Sequence, residues 1–152
     1  MNNRNISAVI SLIICFASSA ALIVLIFTMP SFFKWFYYML RGNTVYAEAV
    51  IKTVVRAFYF CVPFAAAALF SLIRLLFNVR KDNTFISVNV LYIRIISYCC
   101  YFVMIVTAVF GFRYFPLFVI CFAMAVVGTL LSVMKNILQS AVEIKEENEL
   151  TI

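Results

Sequence analysis

The uncharged run between Arg4 and Lys34 reads NISAVISLIICFASSAALIVLIFTMPSFF (residues 5–33). It exceeds the ~20 residues with which a helix crosses the ~30 Å hydrocarbon core of a bilayer. Similar uncharged runs follow over residues 57–73, 95–112 and 114–134. These runs are continuously apolar rather than alternating, which favours membrane-spanning helices over a closed barrel.

The composition supports the same environment. Of the 152 residues, 66% are hydrophobic and 12% are charged, whereas soluble domains average ~45–50% and ~25%. A soluble chain of this length could not bury so much apolar surface. The composition therefore excludes a soluble enzyme, a zinc finger and a disordered tail.

We predict an all-α integral membrane protein, with residues 1–152 forming a single membrane domain. Its four transmembrane helices are predicted at residues 6–29, 57–77, 91–112 and 115–134. The second and third uncharged runs are shorter than ~20 residues, so the flanking arginines belong to the same helices and reach outward to the headgroups. Arg74 is one such interfacial anchor.

The connections between the spans differ in character. Residues 30–56 form the long outer connection, where Trp35, Tyr37 and Tyr38 are predicted to anchor the chain in an aromatic belt at the membrane interface. The second half of this connection, residues 44–56, is predicted as a helix that runs into span two. In contrast, residues 111–116 predict a tight turn, which makes spans three and four an antiparallel αα-hairpin.

Orientation follows from the distribution of Lys and Arg. If the N-terminus is cytoplasmic, the inner side holds more cations than the outer side, as the positive-inside rule requires. An even number of spans then places the C-terminus in the cytoplasm as well. The cations assigned to the inner side are Arg4, Arg74, Arg80, Lys81, Arg94, Lys135 and Lys145.

Two polar segments share this inner side. From Arg74 to Arg94 the chain carries four cations and one acid, whereas the tail at residues 135–152 carries four glutamates and two lysines. We expect helix four to extend into the cytoplasm as an amphipathic tail, standing roughly 20 Å beyond the bilayer core. The predicted partner-docking residues are Arg80, Lys81, Asn89, Arg94, Glu143, Glu146 and Glu147.

Catalytic chemistry is not expected. The chain has no histidine, its five cysteines lie in apolar runs without ligand spacing, and no catalytic motif is present. We therefore expect no enzyme activity, no metal and no cofactor. Direct nucleic-acid binding is not expected either, because the cations form no basic stripe.

Two stretches resemble a known family. They are LLFNVRK (residues 75–81) with TFISVNV (residues 84–90) and Arg94, and the C-terminal QSAVEIKEENELTI (residues 139–152). Both resemble a bacterial family of four-span membrane proteins of unknown function. Members are often encoded beside a small helix-turn-helix regulator of the phage-repressor type, and the resemblance implies such a partner. Family members commonly carry an acid where this chain has Val88.

The resulting hypothesis is a multi-pass protein of a bacterial cytoplasmic membrane that binds a cytoplasmic helix-turn-helix regulator and controls it. Its partners would be the lipid bilayer and this regulator, with a homo-oligomer left open. Two alternatives remain: a small transporter or channel, and an accessory protein for bacteriocin immunity or envelope stress.

Overall fold

The computed structural model describes residues 3–41, 45–81 and 86–150. These residues form four helices and no strand: α1 (Asn3–Arg41), α2 (Val45–Arg80), α3 (Ser87–Gly111) and α4 (Leu117–Leu150). Each helix is long and apolar enough to cross a membrane. The prediction of an all-helical protein with four transmembrane helices is confirmed.

Consecutive helices pack antiparallel to one another. Tyr59 Oη of α2 donates a hydrogen bond to the Ile26 carbonyl of α1 over 2.9 Å, and the rings of Phe64 (α2) and Phe102 (α3) stack at 4.7 Å. α3 packs on α4 in turn. Within the described residues, the backbone of α1 packs closely on α2 and not on α3 or α4. The Met29 side chain of α1 nevertheless lines a cavity together with residues of α2, α3 and α4.

This up-and-down order defines two ends of the molecule. The hairpin end holds the turn between α3 and α4, together with the end of α1 and the start of α2. The tail end holds the start of α1, the end of α2, the start of α3 and the end of α4. The first turn of α1 and the last turn of α4 therefore lie at the same end, as an even number of antiparallel helices requires.

The predicted outer connection is mostly helical. α1 continues through Pro30 to Arg41, where the sequence predicted a loop from residue 30. A proline removes only one backbone donor, whereas ending the helix in lipid would expose several backbone groups. α2 begins at Val45 and confirms the helix that runs into span two.

The turn between α3 and α4 is short, as predicted. α3 ends at Gly111 and α4 begins at Leu117, two residues later than the predicted start of span four. The Phe110 carbonyl accepts hydrogen bonds from the amides of Arg113 and Tyr114, and the Leu117 amide donates to the Tyr114 carbonyl. These bonds close the turn and make α3 and α4 sequential neighbours.

A polar seam joins α3 to α4 inside the apolar region. Ser97 Oγ donates to the Gly128 carbonyl over 2.9 Å and shares a second 2.9 Å hydrogen bond with the Ser132 hydroxyl. A Cβ at Gly128 would lie 3.1 Å from the Tyr101 ring. The two helices therefore approach closely because Gly128 has no side chain, and hydrogen bonds hold them there.

α4 continues without a break from Leu117 to Leu150. Its 34 residues measure about 51 Å at 1.5 Å per residue, well beyond the ~30 Å hydrocarbon core. The predicted extension of helix four is therefore present as a continuous helix. Its location in the cytoplasm stays a prediction.

Candidate functional site

A cleft of about 250 Å³ opens at the tail end, between the first turns of α3 and the last turns of α4. It exists because α4 runs on past the apolar region beside the start of α3. The lining residues from α3 are Ser87, Val90 and Arg94, and those from α4 are Gln139, Val142, Glu143 and Glu146.

The spacing of these residues explains why they share a cleft. Positions 87, 90 and 94 fall on one face of α3, and positions 139, 142, 143 and 146 fall on one face of α4, because residues three and four apart lie on the same side of a helix. The polar face predicted for the tail therefore turns toward α3. Its apolar face turns outward, with Ile137 and Ile144 exposed.

The floor of the cleft is apolar and its rim is charged. Val90 and Val142 are buried and pack the two helices together. Arg94, Glu143 and Glu146 are exposed around them. Gln139 Nε2 donates a hydrogen bond to Glu143 Oε1 over 3.1 Å, which orients that carboxylate.

The charged side chains that the structure describes in this cleft form no ion pairs with one another. Within the described part of the chain, no ion pair of 4 Å or less joins Arg94 to Glu143 or Glu146. A guanidinium and two carboxylates therefore face the same cleft, where they can bind complementary groups of a ligand.

Asn89 has a different role from the predicted one. Its side chain is fully buried, and its Oδ1 accepts a 2.8 Å hydrogen bond from Asn78 Nδ2 of α2. A buried polar side chain needs such a partner. Asn89 therefore does not line a docking surface; it joins α2 to α3 immediately beside Val90 and so positions the α3 wall of the cleft.

The other predicted docking residues lie near the cleft but do not line it. Arg80 and Lys81 are exposed at the end of α2, and Glu147 is exposed on α4. Neither Arg80 nor Lys81 forms an ion pair with Glu143 among the described residues. The cation that faces Glu143 is instead Arg94, a juxtaposition that the sequence spacing could not reveal.

The predicted interfacial anchors lie at opposite ends of the molecule. Trp35 is exposed and Tyr37 and Tyr38 are half-buried in the last turns of α1, at the hairpin end. At the tail end, the exposed Arg74 places its Cζ 5.3 Å from the centre of the Phe70 ring. Both arrangements suit amphipathic side chains at a membrane interface.

The cysteines do not gather into a site. All five are unpaired, and Cys15 and Cys99 are buried in helix contacts. Among the described residues, no group of three or more Cys, Asp or Glu side chains could hold a metal ion. The expectation of no metal and no cofactor stays a prediction.

Four apolar helices of spanning length define the chain as a multi-pass membrane protein. The chain belongs to the family described as "Protein of unknown function (DUF2975)", which it matches over residues 2–152. This confirms the resemblance to an uncharacterised membrane-protein family. No curated protein and no solved structure matches the chain.

Proposed function

We propose that this protein is a non-catalytic regulator of the bacterial cytoplasmic membrane, which binds a cytoplasmic helix-turn-helix regulator at the cleft between α3 and α4. The observation that carries the proposal is that Arg94, Glu143 and Glu146 lie exposed around one apolar floor and, among the described residues, form no ion pair with one another. The identity of the partner rests on the family resemblance alone.

Stability does not explain this arrangement. Exposed ion pairs contribute only ~0–1 kcal/mol, and Arg94 forms none with the described carboxylates. Charge complementarity between proteins mainly governs the association rate and the specificity. With two carboxylates against one guanidinium, the cleft best fits a basic side chain of the partner flanked by an acidic or amide group.

The proposal requires the tail end to face the cytoplasm. Reporter fusions after Arg41, at the hairpin end, and after Asn83, in the connection between α2 and α3, test this orientation. We expect the first fusion to report outside and the second to report inside. If both report the same side, the four-span topology is wrong; if they are exchanged, the cleft lies outside and cannot bind a cytoplasmic regulator.

Partner binding is tested by co-purification in mild detergent with a cytoplasmic helix-turn-helix regulator of the phage-repressor type. We compare the full chain, a chain lacking residues 143–152, and the double variant Glu143→Gln with Glu146→Gln. The matched control is Glu48→Gln, which changes an exposed glutamate at the hairpin end. Recovery of the regulator should be lower with the truncated chain and with the double variant than with the full chain. It should be unchanged with Glu48→Gln.

Repeating the co-purification at low and high salt tests whether the binding depends on these charges. Binding that depends on Glu143 and Glu146 should weaken at high ionic strength, because exposed charges are screened over a few ångströms. The charge-neutral double variant should lose most of that salt dependence. Equal recovery of the regulator with all variants, at both salt concentrations, would overturn the proposal and leave the end of α4 as a solvated helix.

A further inference from the structure

Two cavities lie along one face of α2 at the hairpin end, at the opposite end of the molecule from the cleft. The outer cavity, of about 350 Å³, lies between the first turns of α2 and the α3–α4 turn. The inner cavity, of about 190 Å³, lies between helices within the apolar region. Neither takes part in the proposed partner binding.

A single stripe of α2 connects them. Tyr46, Val50 and Thr53 line the outer cavity, and Val54, Ala57 and Cys61 line the inner one. Tyr46, Val50, Thr53, Ala57 and Cys61 are three or four residues apart in succession, and Val54 lies four residues after Val50. They therefore follow one face of the helix over about 22 Å at 1.5 Å per residue. The α3–α4 hairpin spans both cavities too, because Phe112 lines the outer one and Leu117 the inner one.

The inner cavity suits hydrocarbon. Among its lining side chains, Thr107 is the only one with an oxygen, and its hydroxyl donates to the carbonyls of Val103 and Met104 in its own helix. No polar atom is thus left to hold water, and apolar cavities without polar partners stay dry. Ligand cavities usually reach ~300–1,000 Å³, so this one admits part of one acyl chain.

The outer cavity suits an anion at the level of the headgroups. Arg113 lines it beside the exposed rings of Tyr46 and Phe112. Within the described chain Arg113 makes no ion pair. The acid at this end, Glu48, is instead 3.7 Å from Lys52. An arginine among interfacial aromatics is well placed to bind a phosphate by charge-assisted hydrogen bonds.

We propose that this pair of cavities holds one anionic phospholipid of the bilayer, with its phosphate on Arg113 and one acyl chain in the inner cavity, which Met29 of α1 lines together with residues of α2, α3 and α4. The outer cavity, which holds Arg113, and the apolar inner cavity follow each other along α2. A phospholipid carries its headgroup and its acyl chain in the same order.

The test measures the lipid that the full chain retains. The protein is reconstituted in nanodiscs of phosphatidylcholine with a minor fraction of phosphatidylglycerol, then extracted in mild detergent and analysed by mass spectrometry. We expect about one phosphatidylglycerol per chain. Arg113→Gln should retain about tenfold less, which corresponds to one charge-assisted hydrogen bond.

Matched variants separate the site from general lipid contact. Arg56→Gln removes an exposed arginine at the same end that lines neither cavity and should retain lipid normally. Ala57→Leu extends a side chain into the inner cavity and should lower retention, whereas Ala67→Leu, on an exposed position of α2, should not. Equal retention by Arg113→Gln and Arg56→Gln overturns the proposal, as does recovery of phosphatidylcholine or a free fatty acid instead.

A labelling experiment on the unchanged protein covers the case in which Ala57→Leu fails to fold. Phosphatidylglycerol with a photoreactive group in its acyl chain should label α2 around residues 54–61 and α3 around residues 103–107. Labelling spread evenly over the exposed surface of α1 would overturn the proposal.

Discussion

α3 and α1 are both long apolar helices, yet their contacts differ in kind. In α1, Cys15 is the only buried residue among those whose side chains are described. Among the same residues, the Ile26 carbonyl makes the one side-chain hydrogen bond to another helix, which it accepts from Tyr59. In α3, polar groups contact both neighbouring helices. The buried residues of α3 are Asn89, Val90, Ile93, Ser97, Cys99, Thr107 and Gly111.

This difference follows from the solvent. Lipid tails are as apolar as leucine, so apolar contact between helices gains little over contact with lipid; hydrogen bonds and close backbone approach decide which helices associate. The hydrogen bonds of α3 and the close approach at Gly128 therefore fix its position between α2 and α4. Because α3 also carries Val90 and Arg94, the most firmly held helix supports the cleft.

The largest effect is expected for Gly128→Leu. Even a Cβ here lies 3.1 Å from the Tyr101 ring, so a leucine must separate α3 from α4. We expect a loss of about 3 kcal/mol in the free energy of unfolding, as for overpacked cores, measured by SDS titration in mixed micelles. The control is Ala20→Leu, at an exposed position of α1. Equal destabilisation by both variants would remove the distinction between α3 and α1.

Asn89→Leu should cost about 2 kcal/mol, because it removes a buried polar side chain that bonds to Asn78 and leaves the half-buried Asn78 amide without that partner. The same unfolding assay then compares Asn78→Leu and the double variant. We expect a coupling energy between the two sites, since the residues contact each other directly. Purely additive effects would show that the 2.8 Å bond does not hold α2 against α3.

The variants Ser97→Ala and Tyr59→Phe compare the free energy that one hydrogen bond of α3 contributes with the free energy that one hydrogen bond to α1 contributes. The buried Ser97 hydroxyl bonds across α3 and α4, whereas the exposed Tyr59 hydroxyl bonds to α1. Hydrogen bonds between membrane helices average ~0.6 kcal/mol and reach ~1.7. We expect about 1 kcal/mol for Ser97→Ala and about 0.5 kcal/mol for Tyr59→Phe. The reverse order would contradict the assignment of α3 as the organising helix.

The smallest effect is expected for Arg74→Lys, near the contact of α2 with α1. Arg74 is exposed and lies beside the Phe70 ring, so a lysine keeps both the charge and the reach to the headgroups. We expect a change below about 0.5 kcal/mol, equal to that of Arg80→Lys. A loss of folded protein with Arg74→Lys alone would reveal a specific partner of Arg74 on the α1 side.

Prediction from the sequence succeeded where a local property of the chain, such as the length of a connection, determines the structure. The tight turn predicted at residues 111–116 correctly made α3 and α4 neighbours. The loop predicted from Pro30 was wrong for residues 30–41, because a proline signals a break in water more strongly than in lipid. Asn89 was assigned to a surface, although its side chain is buried, since local spacing does not show which neighbour a helix face meets.

The sequence by itself determined that four helices cross a membrane, because apolar length is a local property that each segment carries alone. Only the tertiary structure decided how these helices turn and which faces meet. It brought Arg94 opposite Glu143, buried Asn89 against Asn78, and packed the backbone of α1 against α2. Such contacts join residues far apart in the chain, and in lipid they depend on a few polar groups and a glycine rather than on the hydrophobic pattern.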